Sequence, residues 1–418
     1  MVPEGWSSVQ AQDVCKSIFV GVVIKPSQYY VDEMNGVKAF RSANVREGFI
    51  NDRDWVYFSY EGHAVNKKSH LKKGDVLIVR TGYPGTACVV TPEFEGSNAI
   101  DIVIARPDIG KIIPEYLCAY TNSHIGKSQV LNLQGGMAQK HLNVGAYQVL
   151  QISLPPLPEQ KKIAQILSTW DSAISVTEKL LTNSQQQKKA LMQQLLTGKK
   201  RLLDENGGRF SGEWEYTIFG DLGDTYTGLT GKTKEDFGAG KPYIPYINIF
   251  KNSRIDTQSL EYVQVHDDER QSVVKYGDIF FTTSSETPDE VGMSSVLLDE
   301  VGEVFLNSFC FGFRLNNFET LIPEFARYLF RSEHVRRQIS TLGQGATRYN
   351  LSKLQLIKLE LNHPCVEEQQ KIAAVLSSAD AEIATLERKL TCLKDEKKAL
   401  MQQLLTGKRR VTVDVDAA

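Results

Sequence analysis

The chain repeats itself over a long stretch. Residues 158–199, PEQKKIAQILSTWDSAISVTEKLLTNSQQQKKALMQQLLTGK, align without a gap to residues 367–408, EEQQKIAAVLSSADAEIATLERKLTCLKDEKKALMQQLLTGK, each residue n meeting residue n + 209. The segment KKALMQQLLTGK is identical in both, at Lys188–Lys199 and Lys397–Lys408. The same offset reaches upstream, where Gly136 meets Gly345 and Leu142 meets Leu351. Two copies cannot make a solenoid, which takes at least three, so this is a duplicated unit of about 200 residues.

Each copy reads as one long helix. A spacing alternating four and three picks out Ile163, Leu167, Trp170, Ile174, Thr177, Leu181, Ser184, Lys188, Leu191 and Leu195. In the second copy it picks out Ile372, Leu376, Ala379, Ile383, Leu386, Leu390, Leu393, Lys397, Leu400 and Leu404. Most of these are apolar, and a period near 3.5 marks a coiled-coil seam. Pro158 suits a first helical turn, and Glu159, Glu367 and Glu368 suit the positive end of the helix dipole. Gly198 and Gly407 stand where a helix is terminated. A helix of about 39 residues is roughly 58 Å long. The two seams are expected to pack on each other, antiparallel, with the globular segments at opposite ends of a rod. Lys188 and Lys397 interrupt the seams at equivalent positions. The favoured reading is a stem along the seam with its ammonium in water; register setting and a phosphate contact are the alternatives.

The remaining segments differ from each other but share landmarks. Lys73-Gly74-Asp75-Val76-Leu77-Ile78 resembles Tyr276-Gly277-Asp278-Ile279-Phe280-Phe281, a turn leading into an apolar strand. Ala39–Val45 parallels Tyr243–Ile249, and a glycine loop lies near each end, at Gln134–Gln139 and Gln344–Tyr349. Short strands with frequent turns dominate, with brief helices such as Pro323–Gln338. The expected division is two strand-rich α+β domains at 1–157 and 202–364, helices at 158–201 and 365–410, and a tail at 411–418. A repeated helix surface suits two copies of one partner, and two unlike domains suit an asymmetric, two-part target.

Composition excludes several classes. Hydrophobic residues are 41% and charged residues 23%, ordinary globular usage, and the net charge of −2 means that any nucleic-acid surface is local. Ser17–Ile24 is too short an apolar run to span a bilayer, and Met1–Gln10 lacks the layout of a signal peptide, so a soluble cytoplasmic protein is expected. The six cysteines form no C-x-x-C pair, which points to neither zinc nor disulfides. No H-E-x-x-H, G-x-S-x-G, G-x-G-x-x-G or [DNS]-P-P-[YF] motif occurs. Gly231-Lys232-Thr233 looks like the end of a phosphate-binding loop, but Tyr226 stands where its first glycine belongs, so it reads as an ordinary loop. His141 and Asn350 occupy matching places at the glycine loops, a mismatch that argues against a shared catalytic role.

The order of a variable domain, LPPLPEQKKIA opening a helix that ends ALMQQLLTGK, a second variable domain, and EEQQKIA opening a helix with the same ending resembles the specificity (S) subunits of type I restriction-modification systems. The resemblance spans essentially the whole chain; one departure is that HPCVEEQ opens the second helix. It implies two target-recognition domains joined and separated by two long helices in an antiparallel coiled coil with an internal pseudo-two-fold repeat. It also implies no catalytic site and no cofactor bound by this chain. Each domain would read one half of a bipartite site in double-stranded DNA, and the helices would set the spacer and dock two methyltransferase subunits. Those subunits would hold S-adenosylmethionine and methylate adenine N6. Restriction subunits, using ATP and Mg, would join through the complex. A freestanding two-domain DNA-binding regulator is the alternative.

Base edges are read by Arg, Lys, Asn, Gln, Ser and Thr, and phosphates mostly by Arg and Lys. On that chemistry the first-domain candidates are Arg41, Asn44, Arg80, Thr81, Tyr83, Gln139 and Lys140. Those of the second are Asn248, Lys251, Arg254, Thr282, Ser284, Thr347, Arg348 and Tyr349. All lie in or beside the paired turns and glycine loops.

Overall fold

The computed structural model describes residues 2–133, 141–345 and 347–413. The long helices run Leu157–Leu195 and Val366–Leu404. All twenty seam positions are buried or half-buried, while most positions between them are exposed. Each helix stops at its expected glycine: Gly198 and Gly407 both have φ of +68°. At them, the Gly198 and Gly407 amides donate to the carbonyls of Leu195 and Leu404 at 3.4 and 3.2 Å, and just beyond, the Lys200 and Arg409 amides donate back to Gln194 and Gln403 at 3.1 Å, which satisfies the last helical carbonyls.

Compact units do not end where the helices begin. One comprises residues 1–179 with 387–418, the other residues 180–386. Each therefore holds one globular domain, half of its own long helix and half of the other. Ile163 and Leu167 are buried in the first core together with Leu404 and Leu405. Ile372, Ala373 and Leu376 are buried in the second core together with Leu195 and Leu196. The reason is that each helix start packs on the domain preceding it, and the end of the other helix fills the same core.

The two units follow one plan. In the first, a four-stranded antiparallel sheet has the order Cys15–Val20, Ile102–Pro107, Val76–Val79, Ala87–Val89. In the second the order is Gly223–Thr227, Cys310–Leu315, Ile279–Thr282, Ser294–Val296. The third strand of each, VLIV in the first and IFFT in the second, is fully buried because it is covered on both faces. Val76 and Ile78 face the core shared with the long helices, and Leu77 and Val79 face a smaller sheet with Phe40 and Ala99. Ile279 and Phe281 repeat the first arrangement, and Phe280 with Ile244 and Leu306 repeats the second. In each smaller sheet one pairing is parallel: Gly36–Phe40 with Asn98–Ala99, and Phe237–Ile244 with Phe305–Leu306. The helix expected over Pro323–Gln338 is two helices, Pro323–Leu329 and Glu333–Thr341, because Ser332 caps a fresh start by accepting the Val335 amide. No helix among the described residues is long and apolar enough to cross a membrane.

The Gly-Asp turns explain their own residues. Gly74 and Gly277 both have φ of +84°, open to glycine at little cost. Asp75 accepts the Lys72 amide at 2.8 Å and both arms of Arg106. Asp278 does the same with Lys275 and Arg314, and also accepts the Tyr226 hydroxyl at 2.5 Å. These carboxylates hold the Arg106 and Arg314 guanidinium groups above their ordinary pKa.

Candidate functional site

Three repeated features fix the helices. Gln160 donates to the carbonyls of Lys111 and Pro155 at 3.0 and 2.9 Å and accepts the Ile113 amide at 3.0 Å. Gln369 donates to Thr320 and Pro364 at 2.7 and 2.9 Å and accepts from Ile322 at 3.1 Å. Beside them, Glu159 pairs with Arg410 at 2.7 Å and Glu368 with Arg201 at 2.6 Å. The glutamates thus do more than complement the dipole, since each receives the arginine just beyond the end of the other helix. In the first unit Lys397 pairs with Asp171 at 2.5 Å and Lys394 with Glu178 at 2.7 Å. In the second Lys188 pairs with Asp380, and Ser184 donates to Glu382 at 3.0 Å. Within each unit, residue numbers fall on one helix as they rise on the other, so the helices are antiparallel. Lys188 and Lys397 do not hold free ammonium groups in water: each meets a carboxylate at a defined position on the facing helix. Those carboxylates, Asp380 and Asp171, are themselves equivalent at the 209-residue offset.

The repeat is also identical where packing does not require it. Lys189, Gln193, Gln194 and Lys199 are exposed, as are Lys398, Gln402, Gln403 and Lys408. One turn earlier the exposed residues diverge, with Gln185, Gln186 and Gln187 against Lys394, Asp395 and Glu396.

The structure joins the loop after each third strand to the segment following the glycine loop. In the first domain Thr81 bridges to His141, and the Leu142 amide donates to the Arg80 carbonyl at 3.0 Å. In the second, Ser284–Ser285 pairs with Tyr349–Asn350, and the Leu351 amide donates to Thr283 at 2.8 Å. Thr347 and Arg348 lie in a small loop closed by reciprocal bonds between Gln344 and Asn350 at 2.9 and 3.0 Å. Gly345 there has φ of +132°, and a Cβ would meet the Arg348 carbonyl oxygen at 2.0 Å, so the loop needs its glycine. Gln139 and Lys140, like Gln134–Ala138, lie outside the described residues.

The expected contact residues divide by what their side chains already do. Thr81, Lys251, Arg254, Thr347 and Arg348 are exposed, and Tyr83 is 82% exposed. Tyr349 and Ser284 are half-buried between the paired segments. Arg254 pairs with Asp299 at 2.6 Å and Arg41 donates to the Asp54 carbonyl at 2.5 Å. Three of the expected side chains are already committed inside the fold. Asn44 is buried, accepts the Arg41 amide and donates to the carbonyls of Asn51 and Arg53. Asn248 is buried, donates to Asp256 and Ser259 and accepts the Asp256 amide. Thr282 is fully buried and accepts the Met293 amide. Their side chains close turns, a role open to the same short polar residues that read bases. Arg80 is also largely buried, bonded to the Leu142 carbonyl, to Asp101 and to His141. His141 and Asp101 were not among the expected residues; a lone His and a lone Asp 40 positions apart carry no sequence signal of contact. Lys232, in the phosphate-loop-like segment, is bonded to Glu269, which pulls that carboxyl down to about 2.

The family profile described as the type I restriction modification DNA specificity domain matches twice, at residues 3–183 and 211–394. The specificity subunit of the type I restriction enzyme MjaVIII from Methanocaldococcus jannaschii is 24% identical, covering 98% of this chain and 94% of the relative. That of EcoKI from Escherichia coli K12 is 22% identical, covering 93% and 85%. Among solved structures, the type I S subunit from M. genitalium aligns with a TM-score of 0.57 at 12% identity, covering 98% of this chain and 97% of that one. The HsdS subunit from Thermoanaerobacter tengcongensis aligns with a TM-score of 0.50 at 18% identity, covering 98% of both chains, a likeness of fold. With matches over both halves of its length, the chain belongs to the type I restriction-modification DNA specificity family.

Proposed function

We propose that this chain is the sequence-reading, non-catalytic subunit of a type I restriction-modification complex, its two domains each reading one half of an asymmetric bipartite DNA site. The observation that carries this reading is a scaffold whose ion pairs recur at equivalent positions under unlike readers. Lys188–Asp380 and Lys397–Asp171 are equivalent pairs, and so are Glu159–Arg410 and Glu368–Arg201. Yet Thr81 and His141 stand where the other domain has Ser284 and Asn350. Identical readers on such a scaffold would suit a palindrome, and unlike readers suit two different half-sites. The helices set the spacer and dock two modification subunits. The exposed identity of Lys189-to-Lys199 with Lys398-to-Lys408 supports two copies of one partner. The modification subunits would supply S-adenosylmethionine and adenine N6 chemistry, and restriction subunits ATP- and Mg-dependent cleavage.

The test is a methylation map. The chain is expressed with its cognate modification subunit in a methylation-free host, and the genome is sequenced for N6-methyladenine. One asymmetric two-part motif with a fixed gap, methylated in both halves and absent without this chain, is the expected result. A chain that binds DNA specifically alone and forms no complex with a methyltransferase would be a freestanding regulator instead.

A further inference from the structure

We propose that Thr81 determines sequence specificity in the first domain: its hydroxyl is a preset donor for a hydrogen-bond acceptor on a base edge, and His141 positions it. This rests on the reading of the chain as a DNA-reading subunit.

The argument follows the protons. Arg80 is anchored at Nε by the Leu142 carbonyl at 3.0 Å and through its guanidinium by Asp101. Asp101 is held at φ +49°, a conformation rare outside glycine. The remaining arm of Arg80 meets Nε2 of His141. A guanidinium only donates, so Nε2 is the acceptor and the ring proton sits on Nδ1. Nδ1 lies 2.9 Å from the Thr81 hydroxyl oxygen, so the ring N–H donates to that oxygen. The hydroxyl keeps its own proton, and Thr81 is exposed. The result is an exposed hydroxyl with one acceptor site occupied and, among the described residues, its donor free.

Such a donor suits N7 or O6 of guanine, N7 of adenine or O4 of thymine, and with one of its two lone pairs taken by the ring N–H the hydroxyl keeps only half its acceptor capacity for the amino groups of cytosine and adenine. A phosphate offers acceptors in many directions and does not need a fixed hydroxyl. The residue suited to a phosphate, Arg80, is occupied by Asp101. In the second domain the ring is replaced by Asn350, whose amide lies 3.4 Å from the Arg348 carbonyl, so the effect belongs to one half-site.

The experiment is the methylation map run with wild type, Thr81→Val, Thr81→Ser and His141→Asn, all as the assembled methyltransferase. Thr81→Val is expected to relax one base position in one half-site, by about tenfold in discrimination. Thr81→Ser retains the wild-type motif, and His141→Asn relaxes the same position less. Thr81→Ala replaces Thr81→Val if the latter fails to assemble. A variant motif identical to wild type, whether methylation is unchanged or uniformly lower, overturns the proposal, the uniform loss marking a phosphate contact. Absence of any bipartite motif with the wild-type chain would overturn the underlying functional reading instead.

Discussion

At the scale of single residues, polar side chains in this protein are either tied into turns or held outward, and their type does not say which. Asp75 and Asp278 show the tied case at its strongest, each buried and bonded to a turn amide and an arginine. Replacing Asp278 by Ala leaves the Lys275 amide, the Tyr226 hydroxyl and Arg314 without their shared acceptor. Removing one partner of a buried ion pair typically costs about 3–5 kcal/mol. Arg314 is partly exposed, so about 3 kcal/mol is expected here. Thermal or denaturant unfolding checks this; a loss below about 1 kcal/mol would mean that the turn holds without its carboxylate. Asn44 and Asn248 look as suited to base reading as Thr81 does in sequence, and only their burial separates them.

At the scale of elements, the long helices were legible because the 3.5-residue period runs through ten positions in each and the stops are glycines. Their mutual packing was expected from the two seams, but its register was not legible from period alone. Lys397 and Asp171 decide register in the first unit, and a charge reversal tests it. Lys397→Asp places two carboxylates on one seam and should destabilise the unit. Adding Asp171→Lys should restore the loss, with a coupling of about 1 kcal/mol after allowance for solvent screening. Additive effects in unfolding experiments would remove the pair from register control.

At the scale of the whole molecule, duplication places one surface twice on a chain whose readers differ. Lys189→Glu and Lys398→Glu alter equivalent exposed positions that the core does not use. On the proposed docking of two modification subunits, each single change is expected to leave one subunit bound per chain, and the double change to abolish binding, as read by native mass spectrometry. Unaltered stoichiometry in the double variant would place docking elsewhere. The sequence by itself determined the duplication, the two helices with their ends, and the strand-rich character of both domains. These are local or periodic properties, carried by spacing, glycine stops and apolar runs. The tertiary structure alone decided that each compact unit takes half of both helices, and that Glu159 meets Arg410. It also decided that Asp101, Arg80, His141 and Thr81 form one cluster. Those contacts join residues far apart in sequence through packing of sheet and helix cores, and no local pattern encodes which distant partners that packing brings together.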